Sequence, residues 1–244
     1  MFLLLGIAPA TAMRVVSLNL CADDFLLTLA PEQAVAVTFL ARDPSLSVVA
    51  AAAARLPAVR ADAEAVLARR PDLVLASEYG AQATLAALRA RGVRVELVRL
   101  PDSFAAIRAE TARVAALLGE PARGAAAVRA MDRLLAAAHP QPQRRALLLE
   151  PRGWTAGPDS LGAAVLRAAG FATEGDGRQW SLEAVAAHPP DLLVVPRTRQ
   201  LPSLATELLR HPAFRGIPHT DLPPSLLLCG GPWTARAVAL LATP

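Results

Sequence analysis

Aromatic residues are scarce in this 244-residue chain, and their placement is uneven. Trp154, Trp180, Trp233 and the single tyrosine, Tyr79, all follow or adjoin short apolar runs, and none falls in the centre of a helix-patterned stretch. Flat aromatic faces in such positions suit a site that grips a flat conjugated molecule better than they suit a filled core. Phe39 and Cys21 stand at two further segment ends of the same kind. Arginines occur in the same stretches. Arg42, Arg152, Arg197, Arg199 and Arg236 can each pair with carboxylate or catecholate oxygens. Gly230 and Gly231 would let backbone N–H groups approach a bound molecule closely.

Other chemistries are poorly supported. All 25 basic residues are arginine, so a Walker-A loop, a Schiff-base lysine and the protein-kinase lysine are excluded together. There is no G-x-S-x-G elbow and no HExxH pair. His139, His188, His211 and His219 are scattered, without metal-ligand spacing, so no metal site is expected. Gly157 to Gly162 opens a helix and offers an anion its N-terminus, but the spacing is not that of a dinucleotide loop. The net charge of +4 is spread along the chain without a basic run, and aromatics are only 4%, which argues against nucleic acid as a partner. A Ser–His–Asp set dispersed in sequence stays open, and with it a hydrolytic or transferase-type enzyme on a two-lobed α/β scaffold.

The elements that must position these residues alternate. Arg14–Leu20, Ala34–Thr38, Leu73–Ala76 and Val93–Val98 read as strands, with helices over Asp23–Leu29 and Ala81–Arg91. From Ser103 to Ala138 the pattern is helical, broken at Gly119 and restarted at Pro121. Alternation then resumes. Strands are expected at Arg145–Glu150, Leu192–Val195 and Ser225–Leu228, and helices at Ser160–Ala169, Leu204–Leu209 and Thr234–Leu241. Residues 62–76 (DAEAVLARRPDLVLA) are echoed by residues 181–195 (SLEAVAAHPPDLLVV). Each copy has a polar N-cap, an acid in the first turn, a Pro-Asp stop and a four-residue apolar strand. The chain therefore reads as two α/β lobes with parallel sheets, joined by one long helix, with a cleft between them. Apart from Trp180, just before the second repeated unit, and Arg236, within the last helix, the candidate binding residues above fall at C-terminal strand ends, where open parallel sheets bind ligands.

The ends add two expectations. Residues 2–8 (FLLLGIA) followed by Ala10-Thr11-Ala12 look like the back half of a secretory signal, with the mature chain starting near Met13. The organisation is then a leader remnant over 1–12, a lobe over 13–120, a connecting helix over 121–139 and a second lobe over 140–244. Cys21 and Cys229 could pair in an exported protein. Sequence alone does not bring them within bonding distance, and two separate buried thiols are the favoured reading.

With these features in hand, the chain resembles the periplasmic substrate-binding proteins of ABC importers for iron chelates and vitamin B12. The resemblance runs from Arg14 to about Leu241. It rests on RVVSLNLCADDFLLTL, on the helix–PDLVLA unit and on WSLEAVAAHPPDLLVV. It implies two Rossmann-like lobes bridged by a long rigid helix. It also implies an exported, periplasmic monomer that is not an enzyme, whose bound ligand is a ferric siderophore or cobalamin and which has no cofactor of its own. The implied partner is a permease dimer with its ATPase subunits. In this family an acidic residue on each lobe docks onto permease arginines, and Glu64 and Glu183 occupy the matching positions. Haem-binding relatives often carry a Tyr or His just ahead of the first repeated helix. Ala58-Val59-Arg60 stands there in this chain, which counts against haem and leaves Tyr79 to ligate iron from elsewhere. A signalling receptor of the same fold would look the same in sequence.

Overall fold

The computed structural model describes residues 12–138, 144–196, 212–214 and 216–242. The leader expected at the N-terminus, apart from Ala12, lies outside the described residues, as do Arg197, Arg199 and the helix expected over 204–209.

Two four-stranded parallel sheets form the frame. The first has the order β2-β1-β3-β4, with β1 Val15–Ser17, β2 Ala34–Ala36, β3 Leu73–Ser77 and β4 Arg94–Val98. The second repeats it as β6-β5-β7-β8, with β5 Arg145–Leu148, β6 Ala172–Glu174, β7 Leu192–Pro196 and β8 His219–Leu222. All three strand pairings in each sheet are parallel. Central β1 and β3 are buried throughout, which is why they read as unbroken apolar runs.

The repeated Pro-Asp does more than end a helix. The Asp72 carboxylate accepts the Arg14 backbone N–H, and the Asp191 carboxylate accepts that of Arg145. In each lobe the aspartate at the mouth of the third strand therefore staples the start of the first. The Arg14 guanidinium continues to the carbonyls of Arg69 and Arg70, and that of Arg145 to the carbonyl of Pro189, so both helix ends are also satisfied.

The helices follow their capping signals. α1 (Leu20–Leu29) starts at Asn19, whose side chain accepts from the N–H groups of Cys21 and Ala22. It begins three residues earlier than expected, because Asn19 is an N-cap rather than part of the strand. α2 (Ala50–Ala53) is short, α3 (Ala63–Leu67) is capped by Asp62, and α4 (Gln82–Ala90) follows the left-handed pair Gly80 and Ala81. α5 (Phe104–Leu117) and α6 (Pro121–Ala136) then carry the chain from one sheet to the other, and α6 spans about 24 Å. A Cβ added at Gly124 would lie 2.4 Å from that of Ala115, so α5 and α6 cross with almost no space between them. α7 (Leu161–Ala168) and α8 (Leu182–Ala187) flank the second sheet, α8 being capped by Ser181, and α9 (Ala235–Ala242) packs on α6.

Three sequence expectations change here. Ser225–Leu228 is not a strand: Pro223 and Pro224 lack the N–H that a ladder needs, so β8 ends at Leu222 and Pro224–Leu226 form a 3-10 turn. The run is apolar because Leu226 joins the core between the lobes. β6 was not anticipated, since an Ala-Thr-Glu edge strand, partly exposed, carries no apolar signature. Finally, Cys21 and Cys229 are not separate thiols. They form a disulfide with Cα atoms 5.1 Å apart, linking the start of α1 to the segment after β8.

Candidate functional site

In a parallel sheet all strands end on one edge, and the loops there build the site. In this chain the two such edges face one another. Cys21, after β1, is bonded to Cys229, after β8. Gly230 abuts Pro101, after β4, so closely that a Cβ would lie 2.7 Å from its carbonyl oxygen. A cavity of about 730 Å³ is lined by Ser47 and Val48, beyond β2, and by Ser225, Leu226 and Arg236 of the second lobe.

Exposed apolar side chains gather on these loops. Phe39 is 66% exposed, Tyr79 68% and Trp154 48%, with Leu40, Leu100 and Leu228 also exposed. Local backbone explains each aromatic. Phe39 opens the 3-10 turn Phe39–Arg42 that follows β2. The Tyr79 N–H donates to the Ser77 hydroxyl at 3.1 Å, and the left-handed Gly80 and Ala81 then swing the chain into α4. Arg152 (φ 64°) and Gly153 (φ 79°) form a tight left-handed turn that presents Trp154. That turn is closed by the Glu150 N–H donating to the Trp154 carbonyl at 2.7 Å. Leu100 was missed in sequence. It follows Arg99, whose backbone N–H is held by the buried Glu110 carboxylate at 2.9 Å, and its place directly after β4 was the available signal.

The remaining candidates separate. Arg42 is exposed, with its guanidinium donating to the Leu56 carbonyl, and Arg152 is exposed on its turn. Trp180 is half-buried beside Leu147 and Val185. Its indole N–H donates to Asp176 at 3.0 Å and its backbone N–H to the Gly153 carbonyl, so it braces the turn that carries Trp154. Cys21 is tied up in the disulfide and offers a ligand no thiol. Trp233, expected to line the cleft, is only 3% exposed: it packs in the core between the lobes, with its indole N–H donating to the Cys229 carbonyl. Glu64 and Glu183 stand exposed in the first turns of α3 and α8. Among the described residues no group of three or more His, Cys, Asp or Glu is placed to hold a metal ion.

Behind the rim lie two adjacent buried carboxylates on α1. Asp23 accepts from the backbone N–H and hydroxyl of Thr38, and burial pushes its pKa from 3.8 to about 6. Asp24 accepts from the Ser47 hydroxyl at 2.6 Å, and burial, aided by the neighbouring Asp23, pushes its pKa to about 7. An acidic pair inside the otherwise apolar LCADDFLLTL was the sequence signal for them.

Comparison with known proteins agrees with the two-lobed α/β fold. The family model described as periplasmic binding protein matches residues 15–219. A search of curated protein sequences finds no significant match. Among solved structures, the apo periplasmic heme-binding protein RhuT from Roseiflexus sp. RS-1 is similar at 27% identity and a TM-score of 0.74, over 95% of this chain and 97% of that one. A periplasmic heme-binding protein from Pseudomonas aeruginosa is similar at 29% identity and a TM-score of 0.73, over 94% and 91%. The periplasmic vitamin B12-binding protein BtuF of Vibrio cholerae shares the fold at 18% identity and a TM-score of 0.68, over 95% of each chain.

Proposed function

This chain belongs to the periplasmic binding protein family, and from that premise we propose that it captures a flat tetrapyrrole, haem foremost, and delivers it to an ABC import permease. Family members are binding proteins rather than enzymes, they are exported to the periplasm, and they serve ABC importers. The observation that carries the ligand class is the set of exposed aromatic side chains, Phe39, Tyr79 and Trp154, on the facing strand-end loops of both lobes. Planar rings of this kind stack on a planar macrocycle and bury it without needing a charged pocket.

The structures from Roseiflexus sp. RS-1 and Pseudomonas aeruginosa, at 27% and 29% identity, are both described as heme-binding, which supports haem over the ferric siderophore or cobalamin expected from sequence. The absence of a Tyr or His at Ala58-Val59-Arg60 is then met from another segment. Tyr79 has the one phenol of the chain, and phenolate is an established axial ligand of haem iron. Cobalamin is the second reading, since the same aromatic set would accept a corrin. Glu64 and Glu183 would meet permease arginines, setting register and steering encounter more than adding affinity.

The test is a titration of the purified chain with haemin, cyanocobalamin and a set of ferric siderophores, followed by Soret absorbance and tryptophan fluorescence. Saturable quenching and a Soret shift with haemin, lost in Tyr79→Phe, are expected. Saturation by cyanocobalamin alone would transfer the assignment to a corrinoid, and saturation by a siderophore alone would overturn the tetrapyrrole reading.

A further inference from the structure

The segment from Thr38 to Ser47 follows β2 and carries the exposed Phe39 and Leu40, and it is tied down at both ends by one helix. Its first residue, Thr38, immediately precedes the 3-10 turn Phe39–Arg42 and gives its N–H and hydroxyl to Asp23. Its last, Ser47, gives its hydroxyl to Asp24 and accepts the Val49 N–H at 3.2 Å. Asp23 and Asp24 are fully buried neighbours in the first turns of α1, the helix whose Cys21 is bonded to the other lobe. We propose that Asp23 and Asp24 are positioning residues for the ligand site, a clasp that fixes the Thr38–Ser47 rim and so sets where Phe39 and Leu40 meet the ligand. The ligand half of this inference rests on the tetrapyrrole reading above, whereas the clasp itself does not.

A buried carboxylate is a costly way to hold a loop, because desolvation penalises the charged form. Asp24 shows the cost directly: its Oδ2 is buried with no hydrogen-bond partner. The charged surroundings offer little relief. Arg236 of α9 is the cation acting on Asp24, and it is exposed at the 730 Å³ cavity that Ser47 also lines. On the turn after β2, Arg42 is held by Leu56 and Asp43 accepts from Ser45. On α5, Glu110 is engaged by Arg113; Arg123 of α6 pairs with Glu32 beyond the far end of α1. β1, β3 and α2 contribute no charged residue. Releasing the rim would return the carboxylates to water, where they ionise readily. The clasp therefore holds best with its carboxyls protonated and loosens as pH rises through the range of about 6 to 7 in which they ionise in place.

The experiment compares wild type with Asp24→Asn, Asp24→Ala, Ser47→Ala and Thr38→Val. Hydrogen exchange, corrected for intrinsic rates, is followed at residues 38–49 and at β3 between pH 5.5 and 8, and haemin affinity is measured over the same range. The three truncating variants should speed exchange across 38–49 by about tenfold or more while β3 is unchanged. They should weaken haemin by about fivefold, the cost of one lost hydrogen bond. Asp24→Asn, which keeps an acceptor without a charge, should hold the rim as the protonated wild type does and remove most of the pH dependence. Uniform acceleration over the whole chain, an unmoved rim, or a loosened rim with unchanged haemin affinity would overturn the proposal. If wild type binds none of the probes, the tetrapyrrole reading fails, and the clasp is then decided by the exchange pattern alone.

Discussion

The indole of Trp233 meets the ring of Phe25 edge-on, with centroids 5.2 Å apart and planes at 61°, so that a residue from the second half of the chain completes the core beneath α1. Trp154, in contrast, stands half in solvent on its left-handed turn. The two tryptophans should respond oppositely to truncation. Trp233→Ala should cost about 3–5 kcal/mol of stability through the cavity left between the lobes. Trp154→Ala should leave the urea midpoint within error but weaken haemin and abolish much of the fluorescence quenching. Equilibrium unfolding and ligand titration of both variants make the comparison, and a stability loss confined to Trp154→Ala would refute the assignment.

The Asp191 carboxylate takes the Arg145 N–H at 2.7 Å, and that of Asp72 takes the Arg14 N–H at 2.8 Å. Arg145 also holds Asp191 below the ordinary carboxylate range, first through its backbone N–H and then through its guanidinium. Asp191→Ala and Asp72→Ala should each lower Tm by roughly 2–4 °C, a typical shift for one lost interaction in a chain of this size. Because the folded pKa of Asp191 is depressed, its contribution is present above pH 4 and lost as pH falls through the folded value. The Tm deficit of Asp191→Ala should therefore shrink in acid, as calorimetry at pH 3 and pH 6 would show.

The doubled Pro-Asp unit was legible in the sequence because it is local: cap, first-turn acid, stop and strand all lie within fifteen residues. The parallel sheets and the connecting helix followed from the same periodicity. What escaped depends on partners distant in sequence. The disulfide joins positions 208 residues apart, and spacing carries no information about such a contact. Trp233 reads like Trp154 in sequence, a tryptophan in a Gly- or Pro-rich turn, and only the packing of one lobe against the other separates a core residue from a rim residue. Asp23 and Asp24 drew no expectation from sequence, because the residues that make them a site, Thr38 and Ser47, lie 15 and 23 positions further along the chain.

The acid pair sets the other limb of the pH profile. Asp23 and Asp24 titrate near 6 and 7 in the fold against 3.8 for an unburied aspartate. Both are raised, so their contribution is full below about pH 4 and is lost as pH climbs through 6 to 7. For Asp24 the full loss is on the order of 4 kcal/mol, at about 1.4 kcal/mol for each of the roughly three pH units by which the pKa is displaced. Thermal unfolding from pH 4 to 9 should show Tm falling between about pH 4 and 7 and levelling above, and Asp24→Asn should flatten that fall. A profile that rises from pH 5 to 8 would contradict it.

Replacing both cysteines by serine removes the link between α1 and the segment after β8. Loop-closure entropy puts the cost at up to ~5 kcal/mol. The double variant, or wild type in reductant, should unfold at lower urea concentration. A thiol assay of the denatured, unreduced wild type should find no free cysteine.

Glu64 and Glu183 are exposed at equivalent places on the two lobes. Reversing both to arginine should leave haemin affinity within about twofold, because surface substitutions remote from the ligand seldom propagate. The same change should abolish uptake in a strain that depends on this chain. Uptake that survives would show that the permease reads another surface.

The bond between Cys21 and Cys229 also changes the topology of the molecule. With α6 as the first connection between lobes and the disulfide as the second, most of the chain becomes a covalently closed circle. A protease that cuts any one exposed loop inside that circle opens it without producing two pieces. The nicked protein keeps both lobes at high effective concentration and can close again on its ligand. A binding protein built as a ring tolerates a first cut that would dismantle a linear one.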